Sequence, residues 1–217
     1  MRSHVRIIAT VPRPFTTAET EAIRAALFDA GAASFARAGI RRTTVEDLAR
    51  AAGISKGAFY RFFESKEALF LALTDEYEQR MHAEIEAAVR SDPERGIDVL
   101  LDAALFAIQR NPFLAVAMSD DGVRLLRART PAEQRAYLER DERLVARVMT
   151  VLEDAGVRPS VTPSVLLALL RSLFMLGAHR ADVGEALTDE LAAWLVPTLR
   201  RALLAAPEDA TGWPSAR

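Results

Sequence analysis

The sequence contains no cysteine, only two lysines and three histidines. Without cysteine the chain can form no disulfide, no thiolate nucleophile and no sulfur-ligated zinc site, which suits a reducing cytoplasm, where we expect the protein. The histidines His4, His82 and His179 are widely scattered and predict no metal site. Nucleophile elbows and phosphate loops are also missing from the sequence, so we expect no catalytic residue and no cofactor.

The sequence also lacks any apolar run long enough to span a membrane, and the run at 7–11 is too short for a secretory signal. We therefore expect no membrane partner. Half of the 217 residues are apolar, which is enough for a substantial core. Because no period-two alternation is found and nearly every segment has apolar residues at helical spacing, we predict an all-α fold.

The net charge of −2 hides a strong asymmetry along the chain. Residues 1–66 carry 11 basic and 6 acidic side chains, whereas residues 67–217 carry 17 basic and 24 acidic ones. A positive N-terminal third suits phosphate binding through counterion release, while the acidic remainder is poorly suited to lie against DNA. The charge pattern therefore indicates a nucleic-acid-binding N-terminal part.

The first 15 residues are interpreted as a flexible arm. Arg2, Arg6 and Arg13 could reach the DNA backbone or minor groove, and the alternative interpretation is a disordered tail with no contact. Residues 207–217 are interpreted as a C-terminal tail.

The segment 43–67 contains three helix-start signals and one helix-stop signal. Thr44, with Asp47 three residues later, is a variant of the capping box, and Gly53 can adopt the left-handed conformation that ends a helix. Ser55 is a good cap for a second short helix. Two short helices joined by a tight turn form a helix-turn-helix motif, which we place at about 43–62. In this motif the second helix enters the major groove of DNA.

The residues around this motif closely resemble the TetR family of bacterial transcriptional regulators. The matching pattern begins with Phe35 and Gly39 and continues through Thr-Thr-Val, Asp-Leu-Ala, Ala-Gly-Ile-Ser-Lys-Gly, Phe-Tyr and Ser-Lys-Glu without gaps. It covers roughly residues 16–75, about a third of the chain. The resemblance implies a three-helix DNA-binding head at 16–75 and a larger helical body at 76–206, about nine helices in all, with the body used for ligand binding and dimerisation.

The resemblance also implies roles for individual residues. Thr44 is expected to contact phosphate, Lys56 to face the bases together with the two small residues after it, and Tyr60 and Lys66 to contact the DNA backbone. The residue Arg61 can be a phosphate contact or a solvated surface arginine. The expected DNA-binding set is Thr43, Thr44, Ser55, Lys56, Gly57, Ala58, Tyr60, Arg61 and Lys66.

Two positions in the motif depart from residues that are frequent in relatives. Ala58 and Phe62 both lack a hydrogen-bonding side chain at these positions. We interpret Phe62, like Phe59 and Phe63, as a packing residue.

Helix signals continue through the body. The predicted helices there run from Ser65 to Val89, from Ile97 to Arg110, from Phe113 to Arg129, from Pro131 to Ala155, from Pro163 to His179, and from a cap at Thr188 to Leu203. We interpret the sequence Asp120-Asp121-Gly122 as a turn rather than a metal loop. The residue Pro197 is expected to kink the last helix or to remove one of its hydrogen bonds.

The penultimate predicted helix is apolar on nearly all sides, which indicates burial on more than one face. The resemblance implies that the last two helices form a two-fold dimer interface, and the alternative is an internal helix in a monomer. The expected interface residues are Leu166, Leu169, Leu173, Leu176, Leu191, Trp194 and Leu195.

The body also contains aromatic, flexible and polar residues typical of an apolar small-molecule pocket. Plain core packing is the alternative for each, and an intramolecular partner is the alternative for the arginine. The pocket candidates are Phe106, Gln109, Phe113, Met118, Tyr137, Arg171, Phe174 and His179.

We therefore expect a homodimeric repressor that an apolar small molecule releases from a palindromic operator in double-stranded DNA, or alternatively a dimeric regulator without an effector.

Overall fold

The computed structural model describes residues 15–205, and all regular structure in this range is helical. This confirms the all-α prediction. The predicted arm residues Arg2, Arg6 and Arg13 and the predicted tail 207–217 lie outside the described residues. A 3₁₀ helix at Pro93–Arg95 lies between the fourth and fifth α-helices. The α-helices are α1 (Thr17–Arg42), α2 (Val45–Ala51), α3 (Lys56–Phe59), α4 (Lys66–Ser91), α5 (Gly96–Leu105), α6 (Ala107–Arg110), α7 (Pro112–Ala117), α8 (Asp120–Arg127), α9 (Pro131–Asp154), α10 (Pro163–Ala178), α11 (Arg180–Val183) and α12 (Glu185–Leu204).

The first three helices form a small head around a continuous apolar core. Leu27 and Phe35 of α1, Leu48 of α2 and Phe59 of α3 are all fully buried, and they pack with Phe70 at the start of α4. The rings of Phe35 and Phe70 meet edge to face with centroids 5.7 Å apart. Burying these large side chains stabilises helices that would be too short to form alone in water.

The regular part of α1 ends at Gly39. This glycine has φ = 74° and ψ = 169°, so the regular helix stops there and the chain turns before α2. A positive φ of this size favours glycine because a Cβ would clash with the backbone. The turn places the N-terminus of α2 beside the end of α1.

In the body, α5 is the central helix, packed against α4, α10 and α12. The helix α10 approaches the end of α5 closely. A Cβ added to Gly177 would lie 2.1 Å from the carbonyl oxygen of Leu105, so only glycine fits at this crossing. The body core contains fully buried side chains from four helices, including Leu101, Val148 and Leu166.

Two predicted helices of the body are wrong in their extent. The helix predicted for Ile97 to Arg110 breaks at Phe106, which separates α5 from α6. The helix predicted for Phe113 to Arg129 is divided because Ser119 caps a new helix, accepting a hydrogen bond from the Gly122 amide at 3.3 Å. The sequence Asp120-Asp121-Gly122 is therefore the first turn of α8 and not a separate turn.

The predicted start of the last helix is also wrong. The helix begins at Glu185 after Gly184, and an additional short helix, α11, precedes it. The side chain of Thr188 is buried and its hydroxyl donates to the carbonyl oxygen of Gly184 at 2.9 Å, so it bonds within the first turn instead of capping it.

The short helix α7 belongs to the core of the head although it follows α6 in the chain. Phe113 is 1% exposed, and its ring lies 5.4 Å from that of Phe70 and 5.1 Å from that of Tyr77. Through α7 the packing of the head is continuous with a segment of the body.

Candidate nucleic-acid interface

The helix-turn-helix motif has the caps that the sequence predicts. The hydroxyl of Thr44 accepts from the Asp47 amide at 3.2 Å and donates to the Asp47 carboxylate at 2.6 Å. Ser55 accepts from the Ala58 amide at 3.1 Å, and Gly53 between the helices has φ = 70°. These caps satisfy backbone donors that a two-turn and a one-turn helix would otherwise leave unpaired.

The short helix α3 is anchored on one side and open on the other. Phe59 and Phe63 are buried with ring centroids 6.1 Å apart, which confirms their prediction as packing residues. Lys56 and Gly57 are exposed on the other side. Tyr60 is 50% exposed, and its ring stands edge-on to that of Phe59 at 5.6 Å. The structure thus brings most of the predicted base-facing and backbone-facing residues onto one outward surface.

The ammonium of Lys56 forms an ion pair with the carboxylate of Glu46 in α2. The hydrogen bond from Lys56 lowers the pKa of Glu46, and the same bond raises the pKa of Lys56. Both side chains are about half exposed, so the pair is an open surface contact that another anion can replace. Spacing along the sequence does not reveal Glu46, because a pair across the turn depends on the relative orientation of two helices.

The structure places Lys66 differently from the expected backbone contact. Its ammonium donates to the carbonyl oxygens of Ile40, Arg41 and Thr43 at 2.8, 3.0 and 2.7 Å. The ammonium has three hydrogens, and these bonds use all of them. In this structure Lys66 therefore closes the carboxyl end of α1, where exposed carbonyls favour a cation.

The side chain of Thr43, which we expected at the DNA surface, is 2% exposed. Its hydroxyl donates to the carbonyl oxygens of Gly39 and Ser34 at 2.8 and 3.3 Å. This placement corrects the expectation, because a buried hydroxyl that satisfies helix-end carbonyls cannot also reach phosphate. Adjacent threonines in the sequence look alike, and only the turn after α1 decides which of them faces solvent.

Arg61 is exposed and its guanidinium lies 4.4 Å from the centroid of the Phe15 ring. The ring of Phe15 in turn lies 5.9 Å from that of Phe62, which gives Phe62 the packing contact that we predicted. A cation held over an aromatic face stays charged and accessible to phosphate.

A surface groove of about 310 Å³ lies beside α3, between the start of α2 and the start of α4. It is lined by hydroxyl-bearing side chains, including those of Thr44, Tyr60 and Ser65, and by the first turn of α4. Hydroxyls and unpaired amides at a helix N-terminus are suitable donors to a phosphate oxygen.

The predicted pocket residues do not line one cavity. Phe113 belongs to the core of the head, whereas Gln109, Arg171 and His179 are exposed. Arg171 donates to Asp141 at 3.2 Å, so it has the intramolecular partner that we gave as the alternative to a ligand contact. A larger concavity is an open groove of about 560 Å³ along α8, and none of the eight candidates lines it.

The remaining pocket candidates are half-buried. Tyr137 lies between the guanidinium groups of Arg129 and Arg140, at 5.6 and 5.5 Å from its ring centroid, and burial raises its pKa to about 12. The residues Phe106, Met118 and Phe174 are half-buried at separate helices.

The predicted interface residues divide into two groups. Leu166 and Leu173 are buried within the protomer, which corrects their assignment to a dimer surface. Trp194 is 64% exposed, and the half-buried members are Leu169, Leu176, Leu191 and Leu195. Further large apolar side chains are exposed on α10, α11 and α12, namely Val165, Met175, Val183 and Leu187.

Comparison with known proteins shows what the head is related to. The family described as bacterial regulatory proteins, tetR family, matches residues 27–73, which span α2, α3 and the adjoining parts of α1 and α4. The head of the chain, at residues 27–73, is therefore similar to the tetR family. The matched segment contains the capped motif and the buried phenylalanines that support it.

Curated relatives of this chain share mainly the head. The nucleoid occlusion factor SlmA of Glaesserella parasuis is 37% identical over 75 residues, which is 34% of this chain and 37% of that protein. The chain thus spans little more than a third of the length of this relative. The HTH-type transcriptional regulator EthR of Mycolicibacterium smegmatis is 29% identical over 152 residues, covering 68% of this chain and 66% of that protein.

Solved structures share the complete architecture. A TetR-family transcriptional regulator from Pectobacterium atrosepticum has a TM-score of 0.62 at 26% identity, and covers 89% of this chain and all of that one. A TetR transcription regulator from Haloarcula marismortui has a TM-score of 0.65 at 21% identity, covering 85% of this chain. A helical head joined to a larger helical body is therefore the shared fold. Within residues 15–205, no helix is both long and apolar enough to cross a membrane.

Proposed function

We propose that the protein is a cytoplasmic, sequence-specific DNA-binding transcriptional regulator that acts as a homodimer. The observation that carries this proposal is the outward edge of α3, where Lys56, Gly57 and Tyr60 are exposed while Phe59 and Phe63 fix the helix from behind. A short helix held rigidly with a cation and small residues at its N-terminus can approach base edges in the major groove.

The contacts divide by their chemistry. Lys56 would read base edges, with the small surfaces of Gly57 and Ala58 allowing close approach. Ser55 and Tyr60, and Thr44 once its hydroxyl turns away from Asp47, would donate to phosphates. These contacts fix the position of the head without selecting sequence. Binding requires Lys56 to leave Glu46, so the DNA exchanges one ion pair for another.

A second copy of the chain is the partner that the exposed apolar side chains of α10 and α12 suit. Trp194 and Leu187 project from α12, and Val165 and Met175 from α10, with exposures from 44% to 64%. Both helices pack against α5, so they are held by one support. An isologous contact through these side chains would pair two heads. A palindromic site requires such a pair, because its two half-sites face major grooves whose centres are about 34 Å apart.

We further propose that the regulator is a repressor released from DNA by a small apolar molecule. Support comes from α7, whose Phe113 packs with Phe70 and Tyr77 while the preceding α6 contacts α10 in the body. A molecule that displaces α6 would therefore disturb the packing of α4 beneath the head. The related KstR2 of Rhodococcus jostii, 43% identical over 60 residues, is named a transcriptional repressor.

The second candidate is a dimeric regulator without an effector, and the scattered placement of the pocket candidates favours it. A library of apolar metabolites, screened by thermal unfolding and then by DNA release, distinguishes the two. The repressor proposal predicts compounds that both stabilise the protein and lower its DNA affinity. Stabilising compounds with no effect on DNA binding would contradict a release mechanism.

The DNA-binding proposal is tested by selecting bound duplexes from a random pool at several salt concentrations. We expect enrichment of an inverted repeat, and an affinity that falls linearly with the logarithm of salt concentration. An unenriched pool at low salt would overturn the proposal. The variant Lys56→Ala should change the selected sequence, whereas Thr44→Ala should weaken all sequences alike.

A further inference from the structure

Two helices of the body bring a histidine and two carboxylates together in a buried cluster. Glu78 and His82 lie one turn apart on the same face of α4, and Asp141 faces them from α9. One ligand atom from each of the three lies within 4.8 Å of the other two. The Nε2 of His82 is 3.2 Å from Oδ1 of Asp141. Both residues of α4 are 7% exposed.

One oxygen of this cluster has no protein partner. The Oε2 atom of Glu78 accepts from Arg140 at 2.8 Å, but Oε1 is fully buried and accepts no hydrogen bond from any described residue. An unsatisfied buried carboxylate oxygen is costly, and such atoms are rare in folded proteins. Its presence beside His82 and Asp141 indicates that the cluster is completed by a ligand.

Arginines hold each carboxylate by the oxygen that the cluster does not use. Arg140 binds Oε2 of Glu78, and Arg171 donates to Oδ2 of Asp141 at 3.2 Å. This leaves Oε1 of Glu78 without a hydrogen-bond partner, and Oδ1 of Asp141 facing the imidazole of His82 at 3.2 Å. Outer residues that fix the orientation of ligating carboxylates are typical of protein metal sites.

We propose that Glu78, His82 and Asp141 bind one divalent first-row transition metal ion per protomer. One imidazole nitrogen and two carboxylate oxygens suit Zn²⁺, Mn²⁺, Fe²⁺ or Co²⁺, with solvent completing the coordination. With metal–ligand bonds of about 2.0–2.2 Å, neighbouring ligand atoms lie roughly 3–3.5 Å apart. Nε2 of His82 and Oδ1 of Asp141 already have this spacing, and rotation of the Glu78 side chain would bring its oxygen to the same distance. His82 ligates through Nε2 with its hydrogen on Nδ1.

The neighbouring arginines lower the affinity for a cation, so the ion exchanges with the medium. Two of the ligands lie on α4, the helix that packs against α1 of the head, and the third lies on α9. An ion at this position would tie α4 to α9 and restrict its movement. The effect of the ion on DNA binding rests on the proposed function, whereas the metal site itself does not.

The direct test is titration of the full-length protein with Co²⁺, whose visible absorption reports its coordination. We expect saturation at one ion per protomer, competition by Zn²⁺, and at least a tenfold loss of affinity in His82→Gln and in Glu78→Gln. The matched control is His179→Gln, because His179 forms an exposed pair with Asp182 at 3.0 Å, away from the cluster. This variant should bind Co²⁺ with the same affinity and stoichiometry as the native protein. Circular dichroism shows whether each variant is folded.

An experiment without variants is anomalous diffraction at the zinc edge from crystals of the native protein grown with Zn²⁺. A peak between α4 and α9, bonded to the three side chains, supports the proposal. A peak only at His179 and Asp182, or a Co²⁺ spectrum unchanged in His82→Gln, overturns it, and the cluster is then a hydrogen-bonded network alone. If the peak is found but Zn²⁺ does not change the affinity for a selected duplex, the site stands and its link to DNA binding is wrong.

Discussion

The ammonium of Lys66 donates to the carbonyl oxygen of Thr43 at 2.7 Å, and so joins the first residue of α4 to the turn between α1 and α2. Two further bonds, to Ile40 and Arg41, complete this contact. The arrangement fixes the orientation of the helix-turn-helix motif on the helix that leads into the body. These bonds give Lys66 a structural role, whereas the family resemblance implies that Lys66 contacts phosphate.

Replacement of Lys66 by methionine separates these roles. We expect the free energy of unfolding to fall by about 1–3 kcal/mol, because three carbonyls lose a charged donor. The salt dependence of DNA binding should keep its slope. Urea unfolding and fluorescence anisotropy at several salt concentrations measure the two quantities. A slope reduced by about one with unchanged stability would show that Lys66 is a phosphate contact.

The pair between Lys56 and Glu46 predicts that Glu46→Gln strengthens DNA binding. The variant removes a negative charge from the surface that approaches phosphate and leaves Lys56 unpaired, so we expect a several-fold rise in affinity at low salt. The variant Glu153→Gln, at an exposed carboxylate on α9 of the body, serves as a control for the change in net charge. Equal effects of both variants on anisotropy titrations would mean that the ion pair has no specific role.

The same pair gives a pH dependence. Since the hydrogen bond from Lys56 lowers the pKa of Glu46 in the folded protein, the pair is fully formed above the ordinary pKa of a glutamate and is lost as pH falls through the lowered value. The carboxyl signal of Glu46, followed by NMR, should therefore titrate at lower pH than in Lys56→Met. Identical midpoints in the two proteins would rule out the contact in solution.

The exposed indole of Trp194 predicts the oligomeric state. A mass of 23.8 kDa is expected for a single chain, and light scattering should give twice this value for the native protein. The variant Trp194→Asp should shift the equilibrium towards the single chain, because a charge would be buried without a partner at the interface. Leu138→Asp, at an exposed leucine on α9 outside the proposed interface, is the control. A native protein that is monomeric at micromolar concentration contradicts the proposed dimer.

The close crossing of α10 and α5 predicts that Gly177→Ala is destabilising. The added methyl would meet the carbonyl oxygen of Leu105 at 2.1 Å, and a backbone atom between two packed helices cannot yield, so we expect a loss of about 3 kcal/mol or more. Gly57→Ala is the matched control, because the nearest atom to its Cβ, Oγ of Ser55, lies 3.9 Å away. An equal loss of thermal stability in the two variants would refute this packing.

The head was largely predictable because its signals are local. A cap such as Thr44 or Ser55, and a stop such as Gly53, act on backbone groups within three or four residues, so spacing alone identifies them. The break at Phe106 was not predictable in this way, since tertiary packing ends that helix where no glycine or proline marks it. The placement of Phe113 in the head also depends on a contact between distant segments.

The candidate sites show the same limit. Thr43 and Thr44 are adjacent and chemically identical, and only the turn after Gly39 buries the first of them. Glu78 and His82 have the helical spacing that a search could have found, but Asp141 comes from another helix 59 residues later in the sequence. Spacing along the chain therefore could not reveal the proposed metal site, whose residues come together only through the packing of α4 on α9.

The most direct test of a paired, DNA-reading head is the stoichiometry of the complex with a selected duplex, measured by analytical ultracentrifugation. We expect two chains on a duplex with the full inverted repeat, and much weaker binding to a duplex with one half-site. A single chain that binds the half-site and the full site with equal affinity would contradict this expectation.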